Sequence, residues 1–219
     1  MTNFSTDADL LKWEPALVRE IVLDHQCLTR AEGATADGFT VTAADGQFVT
    51  RQVRPGHVVH LSNPAQGVDG GYEILTVESE TELTAACVGT AGEGAVPLPS
   101  ATDLALRIQT FDPQHEEARQ ALLARFGLET DADDPASDLA DWIVQRRALR
   151  RASVALVLAT LYRGQAAGSS AESGLSAKAD HYARLYEDEV TKARLVLDRD
   201  GDGRPDDVRS LASHRLRRV

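Results

Sequence analysis

The sequence predicts an α+β protein: a helical bundle core, an inserted small antiparallel β-barrel or sandwich module, and a C-terminal arm. Three observations predict it. Apolar residues recur at helical spacing toward both ends of the chain. Between them, short β-like runs are broken by Gly, Pro, Asn and Asp roughly every ten residues. The final residues, VRSLASHRLRRV, carry four arginines and no acid, unlike the body.

The first segment reads as one helix ending near His25. Asp7 or Asp9 caps it, and Leu10, Leu11, Trp13, Leu17, Val18, Ile21 and Val22 fall at helical spacing. Pro15 is tolerated only in a first turn, which moves the expected start toward Trp13. From Cys27 to Phe111 the pattern turns β-like. Gly38–Thr42 and Gln47–Arg51 flank Asp45-Gly46 and read as a hairpin. His57–Leu61, Tyr72–Val77, Glu82–Ala86 and Leu104–Gln109 complete the set, and Gly89–Ser100 reads as a surface loop. Helical spacing returns over Gln114–Phe126, about Ser137–Arg163 and about Leu175–Leu197. The run from Ala152 to Tyr162 is apolar on nearly all sides and is the expected buried helix. The expected division is therefore a helical core of residues 1–26 and 112–207, a β module of 27–111, and an arm of 208–219.

Composition narrows the function classes. The chain has 219 residues and a formal net charge of −11. Such a balance does not suit a protein that wraps phosphates, which takes a surplus of Lys and Arg. Residues 1–110 hold 15 acidic and 6 basic side chains, against 19 and 17 in the remainder. The N-terminal residues show neither a basic region nor an apolar stretch, which predicts no secretory leader, and no window is apolar enough for a membrane span. Cys27 and Cys87 do not make a disulfide framework and fit a reducing compartment.

One local motif carries chemistry. Asp198, Asp200 and Asp202, followed by Gly203, match the alternating carboxylates and the turn glycine of an EF-hand loop, and Asp206 falls where a later ligand belongs. Arg209 stands where the bidentate Glu would be, so the remaining ligands would come from Asp206, Asp207, a carbonyl or water. The bland reading is a polar turn that ends a helix. Arg146, Arg147, Arg150 and Arg151 read as a solvated helix face paired with nearby acids. Tyr182 and Tyr186, four apart, read as helix packing. His57 and His60 straddle a strand and do not share a metal. There is no G-x-S-x-G, Walker loop, H-E-x-x-H or C-x-x-C.

Taken together, the chain resembles the head–tail adaptor (connector, neck) proteins of tailed bacteriophages and gene transfer agents. Phe48, Val53-Arg-Pro-Gly-His-Val-Val59, Tyr72-Glu-Ile-Leu-Thr-Val77 and Thr81-Glu-Leu83 resemble a β module of phage neck and tail proteins. Ala177-Lys-Ala-Asp-His-Tyr182 through Leu197-Asp-Arg-Asp-Gly-Asp-Gly203 resembles the last helix and turn of many adaptors. The resemblance implies a virion structural protein of the neck between capsid and tail, assembled in the host cytoplasm. It implies a homo-oligomeric ring, usually of twelve copies, docked on the portal protein and receiving the next neck ring or tail protein. DNA would pass through the lumen without specific binding, and no catalysis or membrane contact is implied. It also implies a portal-docking C-terminal segment, here Arg209, Arg215, Leu216, Arg217 and Arg218.

No cofactor is expected beyond Ca²⁺ at the Asp-rich turn. Two other readings stand beside the adaptor: a calcium-binding interaction module, and another phage neck or tail-completion subunit. An enzyme with a site in the β module rests only on the two histidines and the loop at Gly89–Ser100.

Overall fold

Six strands in the first half of the chain close on themselves. The structure, a computed structural model, describes residues 3–89, 94–128, 139–167 and 172–211. The strands are β1 (Cys27–Asp37), β2 (Thr40–Thr42), β3 (Val58–Asn63), β4 (Val68–Val77), β5 (Glu82–Cys87) and β6 (Ala101–Gln109). They form a closed barrel in the order β1-β2-β5-β4-β3-β6, with every pair antiparallel. Alternation fills the interior: Leu104, Leu106 and Ile108 from β6, Leu83 and Ala85 from β5, Val59 and Leu61 from β3. In β1 the register shifts between Ala31 and Ala34 around Gly33, whose φ of 68° favours glycine. That bulge returns Ala34 and Ala36 to the interior and bends the long strand toward β2.

The expected second arm of a hairpin at Gln47–Arg51 is instead a helical-turn plug. Arg51 N–H donates to Gln47 O at 2.8 Å and Val53 N–H to Phe48 O at 2.9 Å. Phe48, fully buried, enters the barrel core with Ala43 and Val53. A Cβ on Gly46 would stand 2.7 Å from the Phe48 ring, so glycine there lets the ring lie against the backbone. Asp45-Gly46 does turn the chain, but Gln47 and Gln52 at positive φ coil it back on itself instead of pairing it.

The first segment is not one helix. Thr6 caps α1 (Asp7–Leu11) through a capping box with Asp9, and α2 (Leu17–Glu20) follows a break at Trp13–Pro15. This segment lies on the outside of the barrel. Leu11 and Val18 occupy the space beside Gly71 of β4, where a Cβ would stand 2.5 Å from Leu11 Cδ2. Gln109 Nε2 donates to Ile21 O at 2.8 Å, and the Arg107 guanidinium donates to Val18 O. Contacts accordingly group Thr6–Asp112 as one compact unit, and Met1–Ser5 with Pro113–Val219 as the other.

This corrects the expected fold class. α+β holds only at that coarse level. The β part is not a small insertion on a helical bundle core, because β1–β6 pairing closes a barrel that has its own hydrophobic core and an outer layer from residues 6–26.

The second unit contains α3 (from Asp112, the last residue of the barrel unit, to Arg125), α4 (Arg147–Ala167) and α5 (Glu172–Lys192). A 3₁₀ turn at Leu139–Trp142 and an extended Ile143 stand where the continuous helix from about Ser137 was expected; residues 137–138 lie outside the described residues. Phe4, Leu122, Leu123, Phe126, Leu149 and Val190 are among the residues of its core. Ser5 Oγ, buried, lies 2.8 Å from His115 Nδ1 and 2.7 Å from Ser153 Oγ, which seats the N-terminal residues against α3 and α4. Tyr162 and Tyr182 stack with centroids 6.0 Å apart, the packing role expected of Tyr182. The chain leaves α5 not as more helix but as strand β7 (Arg194–Leu197), paired antiparallel with β8 (Asp207–Ser210). Leu195 and Leu197 alternate inward with period two, which a short strand satisfies.

Gly71→Ala tests the outer layer. The added methyl must displace Leu11 or Val18, which are buried and boxed in by Val58. The expected cost is about 1–3 kcal/mol in urea unfolding; an unchanged midpoint would show that the segment does not pack there.

Candidate functional site

The β7–β8 hairpin carries the Asp-rich turn, and backbone amides shape it. Asp198 Oδ1 accepts from Gly201 N–H at 2.8 Å and Oδ2 from Gly203 N–H at 2.9 Å. Asp200 Oδ1 accepts from Asp202 N–H at 3.2 Å, and Asp206 Oδ2 from Arg199 N–H at 2.7 Å. Gly201 and Gly203 sit at φ 73° and 83°, the left-handed region this winding requires. Oxygens of Asp198, Asp200 and Asp206 lie within 4.8 Å of one another, a spacing at which one hard cation can bridge them. Asp202, the fourth predicted ligand, is outside this group, and its Oδ1 accepts from Arg204 N–H at 2.7 Å.

Arg209, predicted to dock on a partner, is held within its own unit. Its Nη1 donates to Phe126 O and Gly127 O, both at 2.6 Å, and its Nε to Asp207 at 3.2 Å. The guanidinium thus satisfies carbonyls at the C-terminal end of α3, where cations are favoured. Its hydrogen bond holds the Asp207 carboxyl below the usual range. The predicted arm of 208–219 therefore begins inside a strand, since Val208 and Arg209 pair with Val196 and Leu195. Arg215, Leu216, Arg217 and Arg218 lie outside the described residues.

The arginines at and just before the start of α4 divide. Arg146 pairs with Asp141, and Arg151 with Glu189 at 3.4 Å. Arg147, exposed, has no ion-pair partner among the described residues. His57 and His60 do not converge. His60 Nε2 lies 2.8 Å from Asp69, and burial pushes its pKa down against the pull of that carboxylate. His57 is buried, with Nε2 3.3 Å from Asp112 and Nδ1 accepting from Arg54 N–H. Cys27 and Cys87 are not joined in a disulfide, and their Sγ atoms lie within hydrogen-bonding distance of backbone carbonyls.

Sequence reading missed the Asp112 cluster. Asp112 accepts from Arg54 and His57, and no spacing in the sequence announces a contact between residues this far apart. Burial pushes its carboxyl up, but the two hydrogen bonds and their charges outweigh burial and hold it well below the usual range.

No protein-family model, no curated protein and no solved structure matches this chain.

Two measurements follow from these geometries. Asp112 has a depressed pKa in the folded state, so its stabilisation is complete above the ordinary carboxylate value of about 3.9 and is lost as pH falls toward the depressed value. Asp112→Asn should cost about 1 kcal/mol at pH 7, discounted for its partial exposure. The gap to wild type should narrow below about pH 4 in denaturant titrations, and a gap constant with pH would contradict this. At the Asp-rich turn, the calcium reading of three carboxylates without a bidentate Glu calls for weak binding only. A melting rise of a few degrees at about 10 mM Ca²⁺, absent in Asp198→Asn, is the expected outcome. No shift at that concentration would remove the calcium reading.

Proposed function

We propose that this chain is a virion structural protein, the adaptor ring that docks on the portal and joins it to the tail. The observation that carries the reading is the anchored C-terminal hairpin. Arg209 ties β8 to the end of α3, so the basic residues after Leu211 start from a fixed point on a folded unit. A short basic segment launched from a rigid base suits an acidic crevice on a partner, where Arg–carboxylate pairs set register.

Charge supports the same reading. Thr6–Asp112 carries 16 acidic and 6 basic side chains, and the rest of the chain 18 and 17. An acidic barrel unit that faces a channel would repel phosphate at close range and let DNA slide.

The test is the full chain mixed with its cognate portal, read by mass photometry and electron microscopy. Ring-sized complexes are expected. Deletion of residues 212–219, which spares β8, should leave the melting temperature unchanged and abolish portal binding. Free monomer beside portal would end the adaptor reading, and equal binding by the truncated chain would end the docking-segment part of it.

A further inference from the structure

The two most exposed large hydrophobic side chains among the described residues are Val144, 58 % exposed, and Val49, 56 % exposed. They lie on different units and in opposite electrostatic settings. Val144 belongs to a cavity of about 640 Å³ lined by Ile143, Val144, Gln145, Arg146, Arg147 and Ala148. Its lining combines the apolar Ile143, Val144 and Ala148 with the polar Gln145, Arg146 and Arg147. Arg146 is engaged by Asp141, whereas Arg147 has no ion-pair partner among the described residues. Arg147 also opens α4, whose amide dipoles add positive potential at that end.

Val49 sits beside carboxylates. Its neighbour Thr50 donates from its amide to Glu80 Oε2 at 3.1 Å and from Oγ1 to Oε1 at 2.7 Å, which fixes Glu80 next to the exposed valine. These hydrogen bonds hold Glu80 ionised, below its usual range. Glu80 is at the tip of the β4–β5 hairpin with exposed Glu78 and Glu82, which the Glu78 N–H to Glu82 O bond at 3.0 Å brings together. Exposed Arg51, its Nε on Gln47 Oε1, is the cation nearest to Val49 in sequence, against the three glutamates of the hairpin tip, whereas at Val144 the Arg146–Asp141 pair leaves Arg147 as the guanidinium without an ion-pair partner among the described residues.

We propose that the Val144 cavity of one copy receives the Val49–Glu80 corner of a second copy, in a head-to-tail contact. The occupant follows from complementarity: an exposed valine on a net acidic corner fits a cavity whose lining is partly apolar and carries the Arg147 guanidinium. Because the two patches differ, the contact is heterologous, and its repetition generates a closed ring or an open filament according to the rotation between copies. The inference rests on the ring reading above and names the residues that join its subunits.

Charge exchange tests it, with sedimentation velocity and mass photometry of the full chain across salt concentrations. Wild type should self-associate, more weakly as salt rises. Arg147→Glu and Glu80→Arg should each weaken association by about tenfold or more, and the double variant should recover most of the loss. Val144→Ser should weaken it as well, whereas Val96→Ser, at an exposed valine outside both patches, should not. All these positions are exposed, and melting curves confirm that each variant is folded. Wild type that stays monomeric to about 100 µM overturns the proposal, as do single reversals without effect or a double variant without recovery. Rings that persist in Arg147→Glu end this proposal and leave the adaptor reading standing. Monomer both with and without portal ends the adaptor reading.

Discussion

Everything in the first half of the chain depends on the pairing of β1 with β6. These strands begin and end the module, so Cys27 meets Gln109 only after the whole intervening chain has been placed. Closure removes the open edges that would otherwise pair with other chains. It also lets small side chains suffice in the core: Ala31, Ala34, Ala36 and Ala85 pack inside, and Phe48 fills one part as a plug. A strand of 11 residues bends through this closure by its bulge at Gly33. The outer layer follows in turn, because Arg107 and Gln109 on β6 supply the hydrogen bonds that hold Val18 and Ile21.

Polar contacts then fix where the chain enters and leaves each unit. In the barrel unit, Phe111 N–H donates to Asp7 Oδ1 at 3.0 Å, and the next residue, Asp112, is held by His57 and Arg54. In the helical unit, Ser5 meets His115 and Ser153 at its start, and Arg209 caps α3 near its end. These ties join residues distant in sequence, where hydrophobic burial alone specifies no register. Apart from the exposed Arg54, each group is buried or half-buried, so a lost partner there costs more than the net worth of one bond.

The Asp-rich turn shows how one set of residues satisfies two readings. Its carboxylates accept backbone amides and so shape the loop without a cation. The same winding brings Asp198, Asp200 and Asp206 together. Arg209, which occupies the position of the missing Glu, is drawn to α3 carbonyls instead of the loop. The hairpin is therefore a device that fixes the chain as far as Leu211, and its winding is satisfied by its own amides.

Glycine, proline and apolar runs place β3 to β6 within a few residues, although β4 begins at Val68, before the Tyr72 that the apolar run marks, because Gly70 and Gly71 show no side-chain alternation. They also locate the buried core of α4 and the turn after β7. The same signals misplace Gln47–Arg51, since Phe48 and Val53 serve a plug as well as a strand. They also give residues 7–25 a single helix, because apolar spacing records that a face is buried and not what buries it. By itself the sequence determined the α+β content, the acidic first half and the spacing of the aspartates, which are properties of local order and composition. Only the tertiary structure decided that the β part closes as a barrel, that residues 6–26 belong to it, and that Arg209 faces inward. Each of these is a pairing between distant residues, chosen by which hydrogen-bonding groups and apolar faces remain unsatisfied until the chain has folded.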